Sequence, residues 1–364
     1  MNQSRAGESS RPPGGPNQVG GDLTDGGAQS VELEAKYVIQ MAHLTTPATV
    51  WKYIEKAVTR SKANLVMLDL EDSIPQGNEG LLRQGRANVI RAFKELDWGR
   101  RLKFFRPRGR ELDPDNEDIK VVVEAAGEDL DGLIYPKIEN AQEARALDLV
   151  LASLEMDRGL RAGGIKIEML IESVNAVEKV FDIARASGRL VGLIFGSYDY
   201  WASLGMRASA YRFDHPLINY ARTRLVSAAA SVGVPAIAEM TTNYPTQNKP
   251  EQERREAIEE FRRDALLARD FGFAGKWTGM PEQAEFAVEI FAISDEEIAN
   301  AIEEVKQFLE VERGGLGSTM IAGRMADRAT DRVNRNTLKK AYALGRIDES
   351  LAAKLGIAGV EGLV

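Results

Sequence analysis

The chain has 364 residues, with 47 Lys plus Arg against 55 Asp plus Glu, two His and no Cys, for a net charge of −8. At 44% hydrophobic and 28% charged it has the composition of a globular protein able to bury a large core, which excludes wholesale disorder. Its acidity argues against a nucleic-acid-coating protein. The lack of Cys excludes disulfides, a thiol nucleophile and iron–sulfur or Cys-type zinc sites, so with only His43 and His215 any metal is expected on oxygen ligands.

The first thirty residues hold seven Gly, three Pro and four Ser and no apolar stretch, so residues 1–33 read as a disordered tail and not as a signal peptide. No apolar run reaches the roughly 18 residues of a transmembrane helix. No membrane association is expected, and nothing demands secretion, so the expected location is cytoplasmic.

From Tyr37 onward strand-like runs alternate with helical ones. The expected strands are Tyr37–Met41, Leu65–Leu70, Leu102–Arg106, Gly132–Tyr135, Ile165–Ile171, Leu190–Phe195, Pro235–Glu239 and Phe273–Trp277. Several are continuously apolar, as parallel strands covered on both faces must be. Eight such units over about 250 residues predict a (β/α)8 TIM barrel across 34–293, ahead of an open doubly wound sheet. Residues 294–364 form a C-terminal helical extension. In it Asp295–Val311 is amphipathic through Ile298, Ala301, Ile302, Val305 and Phe308, and a Gly-rich hinge at Gly314–Gly317 precedes a second helix, Met325–Leu344. This piece is too small for a core of its own and is expected to dock on the barrel or on a neighbouring subunit.

In a parallel barrel the chemistry sits where strands end. Strand two ends in Asp69-Leu70-Glu71-Asp72, strand three in Arg106, strand four at Pro136-Lys137, strand five at Glu172, and strand six runs into Gly196-Ser197-Tyr198-Asp199. Acidic groups crowded on one rim call for a divalent cation, Mg²⁺ first and Mn²⁺ second. Period-2 alternation puts Met67, Asp69 and Glu71 on one face, and Glu168 below Glu172 on another, with Lys137 a candidate partner for a buried Glu168. Arg100–Arg110 carries six basic residues and no acid, which suits a phosphate-bearing or carboxylate ligand or, equally, a strand flanked by solvated charges.

Six motifs then appear in order: Leu68-Asp69-Leu70-Glu71-Asp72-Ser73-Ile74, Tyr135-Pro136-Lys137-Ile138-Glu139, Ile167-Glu168-Met169-Leu170-Ile171-Glu172-Ser173, Phe195-Gly196-Ser197-Tyr198-Asp199-Tyr200, Phe271-Gly272-Phe273-Ala274-Gly275-Lys276-Trp277 and Ala322-Gly323-Arg324-Met325-Ala326-Asp327. From about Tyr37 to Leu355 the chain resembles the CitE-like branch of the HpcH/HpaI aldolase and citrate lyase β-subunit superfamily, nearest its malyl-CoA, β-methylmalyl-CoA and citramalyl-CoA lyases. The resemblance implies a Mg²⁺-dependent, reversible Claisen-type cleavage of a 3-hydroxyacyl-CoA, yielding acetyl-CoA or propionyl-CoA and glyoxylate or pyruvate. By the same resemblance Glu172 and Asp199 hold the metal and Arg106 binds substrate and stabilises the enolate oxygen. Glu71 and Asp72 support the arginine and the metal waters. Lys137, Gly196 and Ser197 line the substrate site, and Asp327, from a segment closing over a neighbouring subunit of a homotrimer or homohexamer, is the acid/base.

The chain departs from that pattern at Arg106-Pro107-Arg108, at Met280-Pro281-Glu282-Gln283 and at Ala238-Glu239-Met240-Thr241-Thr242-Asn243, all near the rim, which leaves the acyl specificity open. Other roles also fit single residues. Asp72 suits a turn cap, Asp327 the N-cap of the following helix, and Glu172 and Asp199 structural ion pairs. His215 suits a helix start. Tyr198, Tyr200 and Trp201 suit either an adenine stack or barrel-to-helix packing. A thioesterase on a malyl-type CoA ester, a class II free-acid aldolase and a non-catalytic CoA-ester-binding subunit are the alternatives to the lyase.

Overall fold

A computed structural model of the protein describes residues 34–321 and 323–357. The tail expected over 1–33 and Ala322 of the last motif lie outside the described residues. Eight parallel strands close into a barrel in sequence order: β1 (Ala42–Pro47), β2 (Leu65–Asp69), β3 (Leu102–Arg106), β4 (Gly132–Tyr135), β5 (Lys166–Ile171), β6 (Leu190–Phe195), β7 (Ala236–Ala238) and β8 (Gly275–Thr278). Closure is made by β1 on β8, with His43 opposite Trp277. No helix of the described residues is long and apolar enough to cross a membrane.

The first strand is a correction. Tyr37 lies in a short helix, Ala35–Val38, and the strand is the next segment, Ala42–Pro47. Its inward positions carry His43 and Thr45 in place of aliphatic residues, so the run has no apolar signature to find. His43 therefore belongs to the barrel wall instead of following it. After β5 the chain forms two short helices, Val174–Glu178 and Val180–Ala184. Several helix starts are fixed by side-chain caps, among them Asn140, whose Oδ1 accepts from the Gln142 and Glu143 N–H groups, and Ser294, which forms a capping box with Glu297.

The extension differs from its expected form in two respects. Gly314–Gly317 leads into an antiparallel hairpin, β9 (Ser318–Ile321) and β10 (Arg324–Asp327), and the last long helix starts only at Arg328 and ends at Ala343. The piece also has an apolar cluster of its own, in which Ile298, Ala301 and Val305 of the helix Asp295–Arg313 join Leu338 and Ala341 of Arg328–Ala343 and, beyond it, Ile347, Leu355 and Ile357. The helix Arg328–Ala343 runs beneath the barrel. Its Asn336 and Lys340 line a cavity of about 240 Å³ against Val38, Gly233–Ala236, Gly272 and Ala274, and Ala343 and Leu344 approach Ile39, Asn64 and Arg100. Each of these barrel residues precedes a strand or stands at its start, so the helix covers the end opposite the candidate site.

Candidate active site

The carboxyl ends of β2 to β6 bring most of the candidate residues together. Asp69 and Arg106 are register partners on β2 and β3. The arginine donates from Nε to Asp69 Oδ1 at 2.7 Å and from Nη2 to Oδ2 at 2.8 Å, a buried fork. Its Nη1 pairs with Glu71 at 2.8 Å and with the exposed Asp72 at 3.1 Å. Burial opposes ionisation of Asp69, but the guanidinium outweighs it and holds the carboxyl below its usual range. For Glu71 burial prevails over Arg106 and the carboxyl is pushed up. Asp69 is a member of the site that motif reading passed over; its alternation with Glu71 was the available signal.

Lys137 reaches back from the end of β4 and pairs with Glu71 at 2.7 Å, not with Glu168 as its position suggested. Its φ of +53° is left-handed, a strained setting for a non-glycine residue. That setting lets its N–H donate to Glu172 Oε1 at 2.7 Å. Burial pushes Glu172 well above the ordinary carboxyl value, and repulsion from Glu71 and Asp199 adds to it. Asp199 is exposed, in the first turn of the helix Ser197–Ser203. Gly196 gives Glu172 its place: a Cβ there would stand 2.5 Å from Glu172 Cβ and 2.8 Å from its Oε2. Ser197 is buried, its Oγ 2.8 Å from the Tyr211 hydroxyl, so it braces the loop after β6.

These residues fit a hard cation. A buried carboxylate whose ionisation is opposed by two other carboxylates is the group a divalent ion stabilises. Among the described residues no three His, Cys, Asp or Glu gather into a closed cage. Two carboxylates with the remaining positions left to water and substrate match Mg²⁺ better than Ca²⁺.

Asp327 is not among the rim groups. It caps the helix Arg328–Ala343 in a capping box with Thr330, and the Thr330 and Ala329 N–H groups hold its carboxyl below the ordinary value. The basic run around β3 is largely engaged within the chain. Arg108 forks onto Asp118 at 2.9 and 3.1 Å, and Arg101 donates to the Ser61 and Trp98 carbonyls. His215 accepts from the Leu217 N–H at a helix start. Trp201 is buried edge-on against Tyr211 and His215, whereas Tyr198 is exposed and stacked on Tyr211.

Below the rim lies a buried trio that the sequence did not pair. Gln40 Nε2 donates to the Tyr37 and Val191 carbonyls at 2.8 and 2.9 Å, so its Oε1 accepts from His43 Nε2, 2.9 Å away. That fixes the tautomer and leaves His43 Nδ1 as an acceptor facing Glu168 Oε2 at 3.5 Å. Burial lowers His43 to about 3 and raises Glu168 to about 8, so both are neutral at pH 7. A second buried group ties β7 and β8 to their helices: Arg222 bridges Glu239 and Asp264, and Lys276 Nζ bonds Asp264 at 2.7 Å and the Glu239 carbonyl at 2.7 Å.

Comparison with known proteins agrees with this architecture. The chain is 28% identical over 308 residues to an L-malyl-CoA/β-methylmalyl-CoA lyase of Cereibacter sphaeroides, covering 80% of this chain and 90% of that one. It is 27% identical over 286 residues to the citrate lyase subunit β of Leuconostoc mesenteroides, covering 79% and 88%. Among solved structures, a citrate lyase from Burkholderia xenovorans has the same fold, with a TM-score of 0.69 at 23% identity over 86% of this chain and 95% of that one. So does CitE of Mycobacterium tuberculosis, solved with magnesium, acetoacetate and coenzyme A, with a TM-score of 0.62 at 21% identity over 84% and 99%. The HpcH/HpaI aldolase/citrate lyase family is matched over residues 46–281, and the chain belongs to that family.

Proposed function

We propose that the protein is a Mg²⁺-dependent carbon–carbon lyase that cleaves a 3-hydroxyacyl-CoA of the malyl-CoA type, reversibly, to an acyl-CoA and an oxo acid. The observation that carries this reading is the pairing of opposites at the rim. A guanidinium clamped by Asp69 and Glu71 stands beside a buried carboxyl, Glu172, that is crowded by Asp199. The relatives named for malyl-CoA lysis and citrate lysis support the same chemistry.

Glu172 and Asp199 would hold Mg²⁺, or Mn²⁺ in its place, and the ion would supply Lewis-acid polarisation of the oxo-acid portion. Arg106 is fixed by its fork before substrate arrives, so its charge is preorganised toward the thioester oxygen where enolate charge develops. Asp72, exposed at the edge, is the partner that can release its contact when substrate binds, while Asp69 and Glu71 keep the guanidinium in plane. Lys137 holds Glu71 with its ammonium and Glu172 with its backbone N–H, which links the arginine side of the mouth to the metal side. Gly196 and Ser197 shape the loop that carries Asp199. Asp327 of a neighbouring subunit would deliver the proton to the enolate carbon in cleavage and remove it in condensation. This requires at least a dimer, and a homotrimer or homohexamer in the cytoplasm is the assembly we propose.

The test is a coupled assay with malyl-CoA, β-methylmalyl-CoA and citramalyl-CoA, with Mg²⁺ and with chelator, following oxo acid separately from free thiol. Mg²⁺-dependent oxo acid without thiol, lost in Glu172→Ala and Asp199→Ala, is the expected result. Thiol without oxo acid would make the protein a thioesterase, and full activity in either variant would overturn the site assignment.

A further inference from the structure

The cavity beneath the barrel, at the end opposite the candidate site, has no part in the chemistry proposed above. Its volume is about 240 Å³ and its wall is largely apolar, built on the barrel side from Val38, Val226, Ala229, Val234, Ala236 and Ala274. Two polar side chains interrupt that wall. Asn336 and Lys340 stand one turn apart on the same face of the helix Arg328–Ala343, and both line the cavity. Among the described residues neither side chain has a hydrogen bond or an ion pair. The surrounding protein opposes the charge of Lys340 and holds its ammonium group below the ordinary lysine value, with no carboxylate to offset it. Lys340 keeps exposed surface, so the cavity is open to solvent beside it.

We propose that this cavity is a second binding site, for a small monocarboxylate with an apolar chain, whose carboxylate is held by Lys340 and Asn336 and whose chain lies between the barrel floor and the C-terminal helix. An apolar space with a few convergent polar groups is the usual form of a small-molecule site, and here those groups have no partner within the chain. The charge decides the head group. One ammonium and one amide suit a single carboxylate, whereas a phosphate dianion calls for arginine forks or further cations, and no arginine lines the wall. The volume decides the tail. An apolar cavity of about 150 Å³ takes a benzene ring. A cavity of about 240 Å³ therefore has room for a chain of about six carbons with its head group. A ligand seated there touches the barrel and the helix at once, and its binding does not depend on the lyase reading.

The experiment titrates the full chain by calorimetry with hexanoate, with acetate, which has the charge without the chain, and with 1-hexanol, which has the chain without the charge. Hexanoate should saturate one site per chain with a Kd of about 1 mM or tighter. Acetate and hexanol should each bind about tenfold more weakly or worse. Lys340→Met keeps an apolar side chain and removes the charge, so hexanoate should weaken about tenfold or more while hexanol binds as before or more tightly. Ala230→Leu, at the exposed last position of the helix Pro216–Ala230 and on the cavity wall, fills the space and should abolish binding of both. No saturable hexanoate binding to the unmodified chain up to about 10 mM overturns the proposal. Equal affinity for acetate and hexanoate overturns it too, since the site would then be an adventitious anion contact. So does a Lys340→Met chain that binds hexanoate undiminished. The three probes on the unmodified chain decide the matter even where a variant does not fold.

Discussion

Replacing Glu168 by Gln tests the assignment of the buried trio, because it removes one titration and keeps the size and the neutral state. Glu168 sits in the barrel interior facing Gly192, where a Cβ would be 2.8 Å from its Oε1. Burial raises it from its ordinary 4.5 to about 8. Between these values the folded chain keeps a proton that the unfolded chain gives up, so stability falls as pH rises, by about 1.4 kcal/mol per pH unit. The loss is absent below pH 4.5 and complete, at about 5 kcal/mol, once pH passes 8. His43 acts in the opposite sense. Lowered from 6.5 to about 3, it favours folding above pH 6.5 and costs stability as pH drops below that value. Glu168 is thus the member of the pair that titrates between pH 6.5 and 8, and across that interval it should cost about 2 kcal/mol. Urea midpoints followed by circular dichroism at fixed protein concentration should fall from pH 6.5 to 8 in the unmodified protein. In Glu168→Gln they should be flatter by one proton's worth of slope, and the variant should be the more stable of the two at pH 8. Parallel profiles for the two proteins in that interval would refute the neutral assignment and imply a charged Glu168 paired with a protonated His43.

Three further outcomes follow from the rim and the outer layer. Gly196→Ala drives a methyl to within 2.5 Å of the Glu172 Cβ, so the melting temperature should fall and the Mg²⁺ concentration at half-maximal turnover of the folded protein should rise about tenfold or more; an unshifted Mg²⁺ titration would argue that Glu172 is not a ligand. Arg106→Lys keeps the charge but loses the fork on Asp69, and kcat should fall by about a hundredfold or more with native circular dichroism; near-native turnover would remove the arginine from the reaction. Lys276→Met leaves Asp264 and Glu239 with Arg222 as their shared cation in a fully buried cluster, which should cost about 3 to 5 kcal/mol in urea unfolding; unchanged stability would show that the remaining groups rebalance without it.

The barrel was legible because parallel strands buried on both faces leave nearly pure apolar runs, and β3, β4 and β6 lie over the residues expected of them. The one misplaced strand shows the converse. In β1 the inward positions are His43 and Thr45, whose company is Gln40, Glu168 and Trp277, so the signal that marks a buried strand is missing where the barrel interior is polar. At the rim, strand-end acids could be found from position alone, but their pairing could not. Lys137 chooses Glu71 over Glu168 because a left-handed backbone turns it across the mouth, and no spacing rule encodes that φ. Nor does a linear motif show that Gly196 is required by the side chain of Glu172 on the neighbouring strand. Lys276 and Trp277 stand side by side in sequence and face opposite layers, one into a helix-facing charge cluster and the other into the mouth.

The position of the C-terminal helix bears on where the acid/base group comes from. Asn336 and Lys340 line the cavity beneath the barrel, under the starts of β7 and β8, and Ala343 and Leu344 approach the residues before β1, β2 and β3. The helix they belong to is therefore tied to the end of its own barrel that carries no candidate site. Asp327 caps the other end of that helix, beside a hairpin whose Met320 and Met325 are exposed, and its hydrogen bonds go to Ala329 and Thr330. On the reading proposed above, Asp327 would serve the barrel of a second copy, and the consequence can be measured by mixing. Glu172→Ala and Asp327→Ala should each be inactive alone. Co-refolded or co-expressed, they should recover turnover, because a site with an intact Glu172 can then borrow Asp327 from the other variant. Recovery should depend on subunit exchange and vanish when pre-assembled variants are mixed without it. If Asp327 served its own barrel, every subunit in the mixture would lack one of the two groups, and no mixture would turn over.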